Sequence, residues 1–165
     1  MSLQTRNVLF LCTANSARSI LAEAILNRLG EGRFKAFSAG SHPRGQVNPD
    51  ALECLKRRGH EVAGLNSKSW EVFSSPDAPQ MDLIVTVCDA AAGEACPFWP
   101  GHPLTVHWGI PDPAGADGAE GGEAAFNLAY DRLERRIAAL LALGGNVFTA
   151  DDARTQLSII GRIDD

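Results

Sequence analysis

The segment Asn7-Val8-Leu9-Phe10-Leu11 is a short apolar run after a polar start, the pattern of a strand covered on both faces, and it ends at Cys12. From Ser19 the period changes: Leu21, Ala24, Ile25, Arg28 and Leu29 recur at steps of three and four, and Gly30 stands as a helix stop. The opening therefore reads as strand, tight loop, helix. Phe34 to Ser38 predicts a second strand, and the Gly and Pro between Gly40 and Gly45 mark a loop. Asn48 as N-cap, Pro49 in the first turn and Gly59 as stop predict a helix of about ten residues.

Further on, Ser67 to Phe73 suggests a short helix, and Asp82 to Val87, β-branched and apolar, predicts a strand that runs into a second cysteine, Cys88. A Gly/Pro-rich passage, Gly93 to Pro103, leads to a brief strand at Leu104 to His107 and another loop, Gly109 to Gly122. The longest helix is expected at Glu123 to Leu143, where Phe126, Tyr130, Leu133, Ile137 and Leu140 form one stripe opposite Asp131, Arg132, Glu134 and Arg135. Gly144-Gly145 ends it, and Thr149, Asp151 and Asp152 are candidates to cap a last short helix through Ile160. Strands alternating with helices predict an α/β three-layer sandwich with a parallel sheet.

Length and composition narrow the class. The 165 residues suffice for a single domain, 1–165, with a core at about 7–143 and a C-terminal extension at 144–165. Hydrophobic residues at 45% and charged residues at 21% exclude a disordered or fibrous chain. A net charge of −5 disfavours wholesale binding to nucleic acid or to a membrane surface. No membrane span or secretion signal is read from the sequence, so the expected location is cytoplasmic. Four cysteines, Cys12, Cys54, Cys88 and Cys96, are too scattered for a disulfide scaffold and are better read as catalytic, metal-binding or buried.

In open parallel sheets ligands bind beyond the carboxyl ends of the strands, where Cys12 and Cys88 stand. Between the first strand and its helix lies Cys12-Thr13-Ala14-Asn15-Ser16-Ala17-Arg18-Ser19, with five residues between cysteine and arginine. Such a loop can turn successive N–H groups inward around an oxyanion, with the helix N-terminus and the Arg18 guanidinium adding positive charge. That field is expected to lower the Cys12 pKa and populate its thiolate. Asn15 is expected to hold the loop by side-chain hydrogen bonds, and Ser19 to cap the helix and to reach the thiolate. Without this setting Cys12 is a buried strand-end thiol and Arg18 a surface residue; the placement at strand end, loop and helix start favours chemistry. Cys54 reads as core; the three tryptophans read as packing residues, and His42, His60, His102 and His107 receive no role. A zinc site from Cys88, Cys96, His102 and His107 lacks the close cysteine pair of structural sites, so neither a metal nor a cofactor is assigned.

The loop, together with Val85-Thr86-Val87-Cys88, Ala95-Cys96-Pro97 and His107-Trp108-Gly109-Ile110-Pro111-Asp112-Pro113-Ala114, resembles the low-molecular-weight protein tyrosine phosphatases and, over about Asn7 to Leu143, the thioredoxin-coupled arsenate reductases built on that fold. The resemblance implies a four-stranded parallel sheet, arsenate or phosphate bound by residues 13 to 19, and Asp112 as general acid, with Asp89 and Asp117 as rivals. It also implies a relay. Cys12 attacks arsenic, Cys88 attacks the Cys12 sulfur and releases arsenite, and Cys96 draws the disulfide outward for thioredoxin, or for a small thiol with a glutaredoxin. Disulfide exchange needs Cα separations near ~5.5 Å, so the Cys88 to Cys96 segment, with Ala90, Ala91, Ala92 and Gly93, is expected to move.

Departures bear on the reading. The Cys88 to Cys96 interval is one residue longer than in the reductases, Ala17 stands where some relatives carry cysteine, and Ala114 and Gly115 stand where the phosphatases place a tyrosine. Small residues there suit an inorganic oxyanion better than an aryl phosphate. Two alternatives accompany the reductase: a phosphatase working through a Cys12 phosphocysteine, and a non-catalytic oxyanion-binding or redox-sensing module.

Overall fold

A computed structural model of the chain describes residues 5–88, 103–111, 113 and 123–163. Strands β1 (Arg6–Leu11), β2 (Phe34–Ala39), β3 (Leu83–Thr86) and β4 (Leu104–His107) are all parallel and lie in the order β2-β1-β3-β4. The helices are α1 (Arg18–Leu29), α2 (Pro49–Arg57), α3 (Glu123–Leu143) and α4 (Ala153–Ile160). The expected α/β architecture and four-stranded parallel sheet are present. None of the helices among the described residues is long and apolar enough to cross a membrane.

β1 is central, which explains its continuous apolar run. Val8 and Phe10 enter the larger core with α1, α2 and α3, while Leu9 and Leu11 face a second cluster with Phe73, Met81 and Ile84. All four are at most 1% exposed, so each contributes about 1.5–3 kcal/mol by burial. The segment expected as a helix at Ser67 to Phe73 is a single 3-10 turn, Trp70–Phe73, whose Phe73 and Trp70 cover that second face. α1 buries Ile20, Leu21, Ala22, Ala24, Ile25 and Leu26, a wider surface than the expected stripe, and Leu29 is partly exposed.

α2 begins as expected: the Asn48 side chain accepts hydrogen bonds from the N–H groups of Asp50 and Ala51, with Pro49 at the first position. Cys54 is fully buried, in the core role expected of it. The α3 stripe, Phe126 through Leu140, is buried throughout. After Gly144 the chain makes a 3-10 turn, Gly145–Thr149, and enters α4. The expected caps do not form there. Asp152 precedes α4 without capping an N–H, and its carboxylate accepts instead from Gln156 Nε2 at 2.6 Å.

One half-buried histidine, His60, gives the fold a pH dependence. The Tyr130 hydroxyl accepts from Arg28 Nη2 at 2.9 Å, so its own proton is directed at His60 Nε2, 2.6 Å away. Burial first, then Arg28 and Arg58, lowers the His60 pKa from 6.5 to about 4. Between those values the unfolded chain binds a proton that the folded chain refuses. Stability from this group is therefore complete above pH 6.5 and is lost as pH falls toward about 4. Melting temperature is expected to fall over that window more steeply in the parent than in His60→Gln; parallel profiles in a thermal scan would refute this.

Candidate active site

β1 leads to β2 on one side, while β3 and β4 lie on the other, so the carboxyl ends of β1 and β3 flank the switch point of the sheet. The next residues carry the two strand-end cysteines. The Val87 N–H donates to the Leu11 carbonyl at 2.9 Å, continuing the β1–β3 ladder one step. The Cys12 and Cys88 side chains are thereby brought to the same end of the sheet, close enough for each to bear on the other's ionisation. The Thr13 hydroxyl lies 3.8 Å from the Cys88 sulfur. Both cysteines are present as thiols rather than as a disulfide, and both are buried.

Residues 12 to 18 form a closed turn into α1, and its shape follows from where its carbonyls go. The Thr13 carbonyl accepts from the His42 N–H, that of Ala14 from the Arg44 N–H, and that of Ser16 from the Asn48 N–H, each at 2.9 Å. The Ser67 hydroxyl adds a second bond to the Ala14 carbonyl at 3.1 Å. A trans peptide points its C=O and N–H in opposite directions, so the N–H groups of Ala14, Asn15 and Ala17 face the concave side. The Thr13 N–H is aimed at the Cys12 sulfur. An array of main-chain N–H groups turned to one side in this way suits an anion.

Asn15 makes the turn possible. It is fully buried at φ 47°, in the left-handed region that Asn tolerates better than most residues. Its amide donates to the Ser19 hydroxyl at 2.8 Å and its oxygen accepts from the Lys68 N–H at 2.9 Å. The expected holding role is therefore seen in both bonds. Ser19 differs from expectation: α1 starts at Arg18, its N-cap is Ala17 without a side-chain cap, and the Ser19 hydroxyl is occupied by Asn15.

Gly40 supports the turn from outside, and sequence reasoning took it only as a loop marker. A Cβ there would lie 2.4 Å from the Thr13 carbonyl oxygen, 2.7 Å from that of Cys12 and 3.0 Å from the Asn15 nitrogen. Lys68, also missed, donates from its ammonium to the Ser38 and Asn66 carbonyls at 3.0 and 2.9 Å. It faces Glu23, which accepts from the Ser38 hydroxyl. Burial raises the Glu23 pKa against the pull of Ser38 and Lys68, and burial lowers that of Lys68 against the pull of Glu23. The only signal for Gly40 was its place just after a strand parallel to β1.

Arg18 Nη1 donates to the Ile110 carbonyl at 3.0 Å, which fixes the guanidinium against the segment leaving β4. Its charge does not decide the ionisation of Cys12. The expected low pKa is corrected: the hydrogen bond with Cys88, then burial, pushes the Cys12 thiol well above its ordinary range, and Arg18 and the Thr13 N–H oppose this without prevailing. Burial and its neighbour therefore hold the Cys12 sulfur toward its protonated form. The sequence placed both thiols at strand ends, and the resemblance implied their meeting, but neither carried a sign that Cys88 would raise the Cys12 pKa.

Cys96 and Asp112 lie outside the described residues, as do Asp89, Asp117, Ala114, Gly115, Trp99 and His102. Trp108 is fully buried and Trp70 packs on the second cluster, both in packing roles. His107 Nδ1 lies 2.7 Å from the Thr86 hydroxyl. Among the described residues no group of three His, Cys, Asp or Glu side chains is arranged to hold a metal ion.

Comparison with known proteins agrees with this geometry. A family model described as low molecular weight phosphotyrosine protein phosphatase matches residues 7–150. The chain is 36% identical to an arsenate reductase of Bacillus subtilis over 75% of its own length and 86% of that protein. It is 37% identical to an arsenate reductase of Brevibacillus brevis over 80% of its length and 91% of that protein. Among solved structures, an arsenate reductase in its phosphate-binding state superposes with a TM-score of 0.69 at 26% identity, covering 85% of this chain and 99% of that one.

Proposed function

Because the chain belongs to the low molecular weight phosphotyrosine protein phosphatase family, and because two thiols rather than one meet at its nest, we propose that it reduces arsenate to arsenite by a cysteine relay. The observation that carries this reading is the pairing of β1 with β3, which brings the ends of both strands, and with them Cys12 and Cys88, to one place beside the loop. A phosphatase needs one sulfur. Reduction needs two electrons, and a dithiol becoming a disulfide supplies them.

Arsenate enters the nest formed by the N–H groups of residues 13 to 17, with Arg18 and Ser19 completing the binding loop. The dianion replaces the interaction that Cys12 makes in the empty site. Cys12 sulfur forms a bond to arsenic, and one arsenate oxygen leaves as water, taking the thiol proton and the proton the anion brought. Asp112 is the group proposed to assist that departure. Cys88 then attacks the Cys12 sulfur. The sulfur–arsenic electron pair goes to arsenic, which leaves as arsenite after taking up protons, and a Cys12–Cys88 disulfide remains. Thr13, 3.8 Å from the Cys88 sulfur, stands beside this step. Cys96 attacks Cys88 in turn, freeing Cys12 and presenting a Cys88–Cys96 disulfide to thioredoxin or to a small thiol with a glutaredoxin. A relay that begins from free thiols belongs in a reducing compartment, the cytoplasm.

The deciding assay is arsenate-dependent NADPH oxidation with thioredoxin and thioredoxin reductase. Cys88→Ser is expected to reduce turnover by at least about a hundredfold while leaving aryl-phosphate cleavage within about twofold of the parent. Parent-like arsenate turnover in Cys88→Ser, or in Cys96→Ser with thioredoxin, would remove the relay, whereas a parent that cleaves aryl phosphate but turns over no arsenate would leave the phosphocysteine phosphatase as the better account.

A further inference from the structure

The family model ends at residue 150, and α4 follows it. We propose that residues 151–163 act as a positioning element of the oxyanion site, holding the Trp108–Ile110 stretch whose last carbonyl anchors the Arg18 guanidinium. The proposal rests on the reading that the loop binds a tetrahedral anion.

The contacts run from the extension to the arginine without a gap. The Trp108 indole N–H donates to the Leu157 carbonyl at 2.9 Å, inside α4. One residue beyond that helix, Gly161 lies so close to the β4 exit that a Cβ would stand 2.4 Å from the His107 carbonyl oxygen and 3.1 Å from the Trp108 Cα. Arg136 Nη2 donates to the Ile163 carbonyl at 3.3 Å, tying the end of the extension to α3. Trp108 is fully buried, and its ring meets Phe10 of β1 at a centroid distance of 6.3 Å. Its backbone N–H donates to the Thr86 carbonyl at 2.8 Å, and the Ile110 N–H donates to the Val87 carbonyl at 3.2 Å. The Ile110 carbonyl is then left facing Arg18 Nη1 at 3.0 Å.

A guanidinium recognises an oxyanion through its plane and the direction of its N–H groups. One N–H is spent on the Ile110 carbonyl, so a shift of that carbonyl turns the whole group. β4 is an edge strand, and the described residues place α4 against it, with Leu157 and Ile160 in the same core as Val106 and Trp108. The extension therefore does at the Arg18 side of the nest what the Gly40 segment does at the loop side.

The experiment measures inorganic phosphate affinity by calorimetry, with melting temperature alongside, for the parent, Trp108→Phe, Gly161→Ala and a chain ending at Ala150. Trp108→Phe keeps the ring and loses only the indole N–H. Both point variants are expected to bind phosphate at least about fivefold more weakly and to raise the arsenate KM similarly, with kcat within about twofold. Repeating Trp108→Phe in an Arg18→Lys background is expected to add less than about twofold, since the effect acts through the guanidinium. Folded point variants with parent-like phosphate affinity and only a lower melting temperature overturn the proposal. So does a loss confined to kcat. If the shortened chain does not fold, the point variants decide. Phosphate binding is read without arsenate: a parent that binds phosphate but does not reduce arsenate rejects the reductase reading and leaves this inference standing, whereas one that binds no phosphate overturns it.

Discussion

With Cys12 replaced by serine, arsenate reduction and any aryl-phosphate cleavage are both expected to fall by at least about a thousandfold, to the limit of detection. The reason is chemical. A hydroxyl in this position is far harder to ionise than a thiol and cannot supply electrons to arsenic. Almost nothing else changes. The oxygen occupies nearly the place of the sulfur and leaves the carbonyls of Thr13, Ala14 and Ser16 bound to their outer partners. Phosphate affinity by calorimetry is therefore expected within about threefold of the parent, and melting temperature within about 4 °C. Survival of either activity at more than about one part in a hundred in Cys12→Ser would remove Cys12 as nucleophile, whatever the fate of Cys88.

The second large effect is expected at Gly40, which touches no substrate. Its missing side chain is what lets the β2 exit lie against the loop, and alanine there meets three backbone atoms at 2.4, 2.7 and 3.0 Å. Backbone cannot rotate aside as a side chain can, so either the loop or the segment at 40–42 must move. Overpacking of this kind costs about 1–3 kcal/mol, which for a chain of this size lowers the melting temperature by roughly 2–12 °C. The catalytic cost is expected to be larger. Displacing the Thr13 carbonyl breaks its bond to the His42 N–H, releasing the peptide that aims the Ala14 N–H inward. Phosphate affinity and arsenate kcat/KM are expected to drop at least about tenfold in Gly40→Ala. An alanine variant with parent-like phosphate binding would show that the loop keeps its shape without this support.

The parts of the fold legible in the sequence were those whose cause is local. β4 and α3 appear at the expected residues because a short run set between Gly/Pro-rich passages and a five-residue apolar stripe are both read within a few turns of chain. The loop from Cys12 to Arg18 was legible because strand end, spacing and helix start are consecutive. What escaped depends on encounters across long separations. Gly40 meets Thr13, Arg18 meets Ile110, and Trp108 meets Leu157, and no window of sequence contains the logic of any of the three pairs. The error over Cys12 has the same origin. Its arginine is six residues away and visible; the thiol that overrides it is seventy-six residues away and becomes its neighbour only through the pairing of β1 with β3. The expected caps at Ser19 and Asp152 failed because each side chain had a better partner one helical turn on or back, Asn15 for the first and Gln156 for the second.

The outward-turned carbonyls carry a consequence for selectivity. A ring of main-chain donors responds to the charge and tetrahedral outline of its guest, and phosphate and arsenate differ little in either. Discrimination by affinity is then nearly out of reach for such a receptor, and abundant phosphate becomes a standing competitor. The choice of element must be made after capture, when one guest can be reduced by the neighbouring sulfurs and the other can only depart.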